Sequence, residues 1–547
     1  MMGKYNLHLR SSNSPRDPVI TAAVKGIEND AFVEQDSCQN EQNGRCHVSS
    51  LQMTSLEGHT TETDVGVLKA SEGGQNATSG QHGDQKRAET RPRILTQVAA
   101  TLVMAFVHMG IGAVYGYTGV TLPELTDPDT QDLLLSPYEV AFFASLSDLG
   151  GAFGSVFGGV LLLRLGQRTT SLLGLPINAA CWLAMAFAHS TTLLLSMWFV
   201  LGFVTGFLSP AASMYVLEVS HKDIRGLLFG IVTTARRFGI IFVFGMGGLR
   251  IGWRAVGFAS SALVAVPLLG SLFLPNSPRW LVTRGRFEEA RDSLSFFRGK
   301  SYDISSELAS ITEQVERSQR RKSGFKDQVR MMMEPSTRKN MALMGFLSLL
   351  TPFSGIVVVI GYAVPILQIN KADIDAYMSA LLTSVVFAAG TVVHICIVDR
   401  VGRKPLLVVS FLLCTLCIAS LGGYFYVRTT DIDVSAYGWA PAASMIAFLF
   451  LVGVGAPVIN ILQGELLPTS VRATGISVIL IFMYLGSFAS AFTYPLISST
   501  MGVHGAFWIY SGVCLTIAIV GAVCLPETRG RSLEEITKTA PAQSTEA

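Results

Sequence analysis

The sequence predicts an all-α membrane protein of twelve transmembrane helices in two six-helix bundles. Three observations carry this. Of 547 residues, 50% are hydrophobic and 15% charged, where a soluble domain carries about 25% charged residues. The apolar residues fall in runs, six between about 95 and 274 and six between about 341 and 525. Each run is near the ~20 residues needed to cross a bilayer core. Between the two sets lies a polar stretch, 275–340, dense in Arg and Lys from Arg279, Arg284 and Arg286 to Arg338 and Lys339. That density marks a cytoplasmic segment. Two six-span halves joined by a basic linker form a plan built from repeats.

The chain order follows from this. Residues 1–93 are polar and rich in Ser, Gly, Gln, Glu and Thr, too poor in apolar surface to order themselves. They read as a disordered cytosolic tail ending in Lys86, Arg87, Arg91 and Arg93. The first apolar run starts near residue 95, too late for a secretory signal. Asn76-Ala77-Thr78 is a glycosylation sequon that stays bare on the cytosolic side. The first bundle occupies 94–274, with spans at about 95–121, 139–163, 170–190, 193–216, 225–248 and 254–274. The cytosolic linker helices occupy 275–340. The second bundle occupies 341–525, with spans at about 342–367, 376–398, 405–427, 439–463, 472–496 and 504–525. A cytosolic tail, 526–547, closes the chain.

Arg164, Arg168, Lys222, Arg225, Arg400, Arg403, Lys404, Arg472, Arg529 and Arg531 all fall on one side of these spans. The loop 122–138 on the other side holds Glu124, Asp127, Asp129 and Asp132 and no Lys or Arg. The positive-inside rule then puts both termini in the cytosol. Arg250 and Arg254 depart from the pattern.

Composition also excludes function classes. A net charge of +2 implies no nucleic-acid partner. Six of eight cysteines lie in apolar runs, where a thiol packs as a small hydrophobe. Cys414 and Cys417 form CxxC inside a span with no ligand cluster nearby. No nucleophile–base or metal constellation stands in the soluble parts, so no enzyme, cofactor or metal is expected.

The halves echo one another. Span 2 runs through Arg164 into Gly166-Gln167-Arg168, and span 8 through Asp399-Arg400 into Gly402-Arg403-Lys404. Glu218 stands seven residues before Arg225, and Glu465 seven before Arg472. Such charges can pair across the halves at the inner mouth.

Asp399-Arg-Val-Gly-Arg-Lys404, Pro275-Asn-Ser-Pro-Arg-Trp-Leu281 and Pro526-Glu-Thr-Arg-Gly530 resemble the signatures of the sugar porter family of the major facilitator superfamily. The match runs from about 95 to 537. The second half is most similar to insect facilitated trehalose transporters, notably Gly464-Glu-Leu-Leu-Pro468, His504-Gly-Ala-Phe-Trp508 and 529–536. The resemblance implies a major facilitator fold, alternating access and a central solute site. It also marks departures. The family's span 7 glutamines and asparagine are replaced in Thr351-Pro-Phe-Ser-Gly-Ile-Val357. Its span 5 glutamine falls at Thr233, its span 8 asparagine at Phe387, its span 10 tryptophan at Asn460, and its span 11 Asn-Trp pair at Met483-Tyr484. Its span 4 arginine falls at Trp198 and its first-half motif acid at Leu163, while Tyr362 matches the outer tyrosine of span 7. A site built to hydrogen-bond hydroxyls loses much when its partners vanish. Thr233, Thr351, Asn460, Gln463 and Tyr484 form the replacement polar set.

Two charges stand out inside the membrane. Arg236 and Arg237 lie about 16 Å along span 5 from Arg225, at ~1.5 Å per residue. A charge at that depth is a functional hypothesis by default. Asp148 of span 2 lies at similar depth. One reading pairs an arginine with Asp148 to hold the bundle, and the other gives an arginine to a solute carboxylate, phosphate or hydroxyl. By position Arg236 is expected to pair with Asp148, and Arg237, one turn above Thr233, to meet the solute. Gly150, Gly154 and Gly158 recur every four residues and permit close helix packing, facing Gly475, Ser477, Gly486 and Ser487 of span 11. His394 reads as a packed neutral histidine or a proton relay.

The resemblance implies a cytosolic gate of Arg168, Glu218, Arg225, Asp399, Arg400, Arg403, Glu465 and Arg472, with Glu289 and Arg298 of the linker meeting the basic turns. Proton-coupled relatives carry an aspartate after Gly-Tyr in span 1, where this chain has Gly116-Tyr117-Thr118. The expected function is a facilitative, uniport carrier of a small polar solute, a hexose or trehalose, in the plasma membrane. A non-sugar or anionic solute, proton coupling through Asp148 or His394, and a transport-incompetent sensor on the same fold are the alternatives.

Overall fold

A computed structural model describes residues 93–527, apart from 130–131, 300–301, 321–324, 370–374, 431, 433–434 and 469–470. The chain divides into two units, 1–85 and 86–547, and all described helices lie in the second. The tail ahead of Arg93, with its sequon at Asn76, lies outside the described residues, as do Arg529 and Arg531.

The described residues are helical, with no strand among them. Eleven helical stretches among the described residues are long and apolar enough to cross a membrane. They make twelve spans, because Arg472–Cys524 leaves helical geometry at Gly502 (φ 75°, ψ 165°) and so holds spans 11 and 12. Spans 1 to 6 are Ile94–Leu125, Pro137–Leu165, Gln167–Ala186, Thr191–Val219, Arg225–Gly248 and Trp253–Leu272. Spans 8 and 9 are Ala376–Val401 and Arg403–Val427.

Two spans are interrupted. Span 7 runs from Pro335–Thr351 through a turn of π-helix, Pro352–Ile356, to Val357–Gly361 and Ala363–Ile369. Gly355 in that turn has φ 96°. Span 10 divides into Ala440–Gly455 and Pro457–Leu466, where Pro457 cannot donate to the helix ladder. Broken backbone at membrane depth is tolerated where it lines a cavity, and both breaks do so here.

Local chemistry sets the helix ends. Ser136 and Glu139 make a reciprocal capping box ahead of span 2, with Pro137 in its first turn. Asp375 caps span 8 by accepting from the amides of Tyr377 and Met378. Gly166 (φ 79°) and Gly402 (φ 100°) turn the chain between spans 2 and 3 and between spans 8 and 9, in the left-handed region that glycine enters at no steric cost.

The motifs around these turns lock onto them. Trp280 lies against Gly166, where an added Cβ would come within 2.8 Å of the indole. Arg284 donates to the carbonyls of Leu163 (3.0 Å) and Arg164 (2.6 Å), completing the end of span 2. In the other half the Glu527 carboxylate accepts from the amides of Arg403 (3.2 Å) and Lys404 (3.1 Å). An anion at a helix N-terminus satisfies free amides and the helix dipole together.

The repeat read from the sequence extends to packing. Span 2 packs on span 4 and span 8 on span 10; span 1 packs on span 5, and span 3 on span 6. An added Cβ at Gly154 would lie 1.9 Å from the Phe203 carbonyl oxygen, and one at Gly390 2.3 Å from that of Phe450. Gly154 and Gly390 have the same chain separation as Gly166 and Gly402. Phe203 and Phe450 have that of Glu218 and Glu465. Gly239 and Gly486 likewise cross Met109 and Leu349. The glycine stripe of span 2 thus faces span 4, not span 11 as expected; only Gly151 meets span 11, at Tyr484.

The linker packs beneath the first half. Pro278–Thr283, Phe287–Arg298 and Ser305–Arg320 enclose Leu281, Val282, Ala290 and Val315. Arg298 is buried and pairs with Glu307 at 2.6 Å while donating to the Val219 carbonyl. Removing one partner of such a pair costs about 3–5 kcal/mol. Glu289 pairs with Arg286. Neither Glu289 nor Arg298 reaches a basic turn through these bonds, because each has an acid–base partner within its own linker segment.

Candidate functional site

The two halves meet along spans 2 and 11, and 5 and 8. Between them lies a cavity of about 190 Å³ at mid-helix depth. The first half contributes Tyr115 and Thr118 of span 1, Ser147 and Asp148 of span 2, Trp198 of span 4, and Arg236 and Arg237 of span 5. The second contributes Ser348 and Thr351 of span 7, Asn460 of span 10, and Tyr484 and Ser487 of span 11. The span 7 break at Pro352 and the span 10 break at Pro457 both open onto it.

The arginines occupy different surroundings. Arg236 donates to Ser209 Oγ at 2.8 Å and to His108 Nδ1 at 3.5 Å. A guanidinium only donates, so His108 accepts at Nδ1, and its Nε2 faces Ser213 Oγ at 3.1 Å. Arg237 stacks on the Phe387 ring, 3.9 Å from its centroid, and its Nε is buried without a partner. This contact crosses from span 5 to span 8, at the position equivalent to that where Tyr484 meets Gly151.

Asp148 does not pair with Arg236. Its Oδ2 accepts from Ser487 Oγ at 2.6 Å, a bond between the halves. Span 2 lies on spans 4 and 11, while span 5 lies on spans 1 and 8. Equal depth therefore does not bring Asp148 and Arg236 together, and among the described residues no carboxylate forms an ion pair with either arginine.

Of the residues expected to meet the solute, Arg237, Thr351, Asn460 and Tyr484 line the cavity. Gln463 stands behind it and donates to Ser348 Oγ at 2.9 Å, orienting a lining hydroxyl. Thr233 is exposed and is not among the lining residues, and its hydroxyl bonds back to Phe229 and Gly230. The Tyr362 hydroxyl is consumed by the Ala491 carbonyl at 3.2 Å. Trp198 was visible in the sequence only as a lost arginine. It is buried in a cluster with Tyr117, Phe143 and Trp182, and its Nε1 has no partner. Tyr115, Ser147 and Ser348 were missed; spacing of three residues from Thr118 and Thr351 on their helices could have flagged Tyr115 and Ser348.

At the linker end, Arg403 pairs with Asp399 at 3.0 Å and Glu465 at 3.2 Å. In the first half the equivalent positions hold Leu163, Gln167 and Glu218, and Gln167 Nε2 donates to Glu218 at 2.9 Å. Ser277 Oγ also donates to Glu218. The repeat thus keeps the geometry of this contact and drops its ion pair. Arg168 donates to the Ser271 and Leu272 carbonyls, Arg225 to Ser220 and Arg472 to Leu467. Arg400 is exposed. These bonds hold each half together, whereas the sequence had them bridging the halves. His394 Nδ1 meets the Val454 carbonyl at 2.8 Å, which fits a packed histidine.

The opposite end accounts for Arg250 and Arg254. Arg254 pairs with Asp132 at 2.7 Å and donates to the Ala186 and Ala188 carbonyls; it holds the Asp132 carboxyl down at about 2. Arg250 pairs with Asp375 at 2.8 Å, joining span 5 to span 8 across the halves. It holds that carboxyl below its usual range. Arg250 is the one non-glycine residue with positive φ (52°) among the described residues.

Two pseudo-equivalent bundles around a mid-depth cavity with broken helices define a membrane transporter of the major facilitator fold, not an enzyme. Residues 93–540 match the family described as Sugar (and other) transporter, and the chain belongs to that family. The facilitated trehalose transporter Tret1-2 homolog of Drosophila simulans is 31% identical over 448 residues, covering 81% of this chain and 90% of the relative. Tret1 of Apis mellifera ligustica is 31% identical over 465 residues, covering 84% and 91%. The inward open conformation of the xylose transporter XylE from E. coli shares the fold, with a TM-score of 0.67 at 20% identity, covering 80% of this chain and 98% of that one.

Proposed function

We propose that this protein is a facilitative carrier that moves a small polar solute, of the sugar class, down its gradient by alternating access. The observation that carries this is the cavity between two pseudo-equivalent halves, lined by both polar and apolar side chains, with one end joined across the halves by Arg250 and Asp375. A hexose or trehalose is the solute to test first, since the Tret1 relatives are named as facilitated trehalose transporters. In this reading Arg237, Thr351, Asn460 and Tyr484 touch the solute, and Gln463 positions Ser348. Asp399, Arg403 and Glu465, with Gln167 and Glu218 opposite, form the inner gate. The protein is multi-pass in the plasma membrane with both termini cytosolic.

Uptake by the purified full-length protein in liposomes, measured for glucose, trehalose, polyols and sugar acids, tests the carrier reading. Saturable uptake of at least one solute, levelling at the external concentration, is the expected result. No saturable uptake of any solute in the panel would replace the carrier with a sensor. A proton-coupled reading has one observation in its favour, the bond between Asp148 and Ser487 that joins the halves beside the cavity.

A further inference from the structure

The cavity wall carries two guanidiniums and one carboxyl among the described residues. Arg237 has a buried Nε without a partner and a planar face already occupied by Phe387. Arg236 is held by neutral groups only, Ser209 and His108. Trp198 adds an indole N–H without a partner. Asp148 is the one carboxyl on the cavity wall among the described residues, and its bond goes to Ser487.

A charge at membrane depth is expensive and is expected to find a counter-charge or water. Here two guanidiniums stand against one carboxyl, which leaves one formal positive charge over. A neutral hexose would supply hydroxyls but not the missing charge. A carboxylate accepts charge-assisted bonds from a guanidinium, roughly twice as strong as neutral ones. Amide side chains, which both donate and accept, suit hydroxyls of either polarity. The cavity wall holds one amide, Asn460, beside its two guanidiniums.

We infer that the preferred solute is a monocarboxylate of the sugar class, a uronate or aldonate, whose carboxylate is bound by Arg237 with Trp198 as an additional donor. This deepens the carrier reading and rests on it for the location of the solute. One surplus charge favours a monoanion, because a dianion would meet Asp148 uncompensated.

Glucose, glucuronate and glucuronamide have similar skeletons and differ at C6. The test measures their binding to the purified full-length protein by the shift of its thermal unfolding with concentration, at fixed ionic strength. Glucuronate is expected to bind at least about tenfold more tightly than glucose or glucuronamide. R237Q is expected to bring that ratio below about threefold, and R237K to keep most of it. Equal affinities for glucuronate and glucuronamide on the wild-type protein would overturn the inference, and this arm holds even if R237Q fails to fold. A full glucuronate preference retained in folded R237Q would also overturn the assignment. Failure of the carrier reading shows separately, as glucuronate binding without uptake into liposomes.

Discussion

Arg236 and Arg237 are neighbours in sequence, about 100° apart around the helix, and that angle sends them to different partners. Arg236 turns toward spans 1 and 4, Arg237 toward span 8. Depth along a helix was legible from residue counting, but direction around it was not, and this is why the expected Asp148–Arg236 pair does not form. A double-mutant cycle separates the cases. D148N with S487A should show a coupling of about 0.5–3 kcal/mol in unfolding free energy, as for groups in contact. D148N with R236Q should show less than about 0.5 kcal/mol. Rescue of D148N by R236Q would restore the discarded pair. Thr233 and Tyr362 are not among the lining residues although their types matched a polar role. Placement in the fold, not hydroxyl bonding, separates them from Thr351, whose hydroxyl also donates to a carbonyl, that of Leu347.

At the scale of elements, the two ends of the bundle are held differently. Arg250–Asp375 ties span 5 to span 8, while Asp399, Arg403 and Glu465 pair inside the second half. D375N removes the ion pair at one end and keeps a good helix cap, since Asn caps as well as Asp. A cysteine at Ile360, which lines the cavity, should then react faster with an impermeant maleimide added from that end. R403A should slow turnover more than it weakens solute binding. Unchanged labelling in D375N, or lost binding with normal turnover in R403A, would remove these ends from the gating cycle. The spans themselves were readable because length and apolarity suffice to mark them. The π turn of span 7 was not, although Pro352 and Gly355 stood in the sequence. Whether Pro and Gly bend, kink or unwind a helix depends on what packs against it.

For the whole molecule, the repeat decides what moves. Its motifs were legible in Gly166-Gln167-Arg168 and Gly402-Arg403-Lys404, and its contacts recur between Gly154 and Phe203 and between Gly390 and Phe450. Thr118 stands on the cavity wall, at the position where the resemblance to proton-coupled sugar porters implies an aspartate. An imposed proton gradient should therefore leave final solute accumulation in liposomes unchanged. Accumulation above the external concentration, abolished in D148N, would make Asp148 the coupling group instead.

The crossings at Gly154 and Gly239 have a mechanical consequence. Backbone meets backbone there, so neither helix can slide past the other without a collision that no side-chain rotation relieves. Each half is then stiff in bending and twist. Span 2 is about 44 Å long at ~1.5 Å per residue, and Gly154 divides it into arms of about 26 Å and about 17 Å. A stiff beam held at such a point is a lever of unequal arms. A displacement at the end near Pro137 returns with opposite sign and about two-thirds of its size at the end near Leu165, with little elastic loss between them.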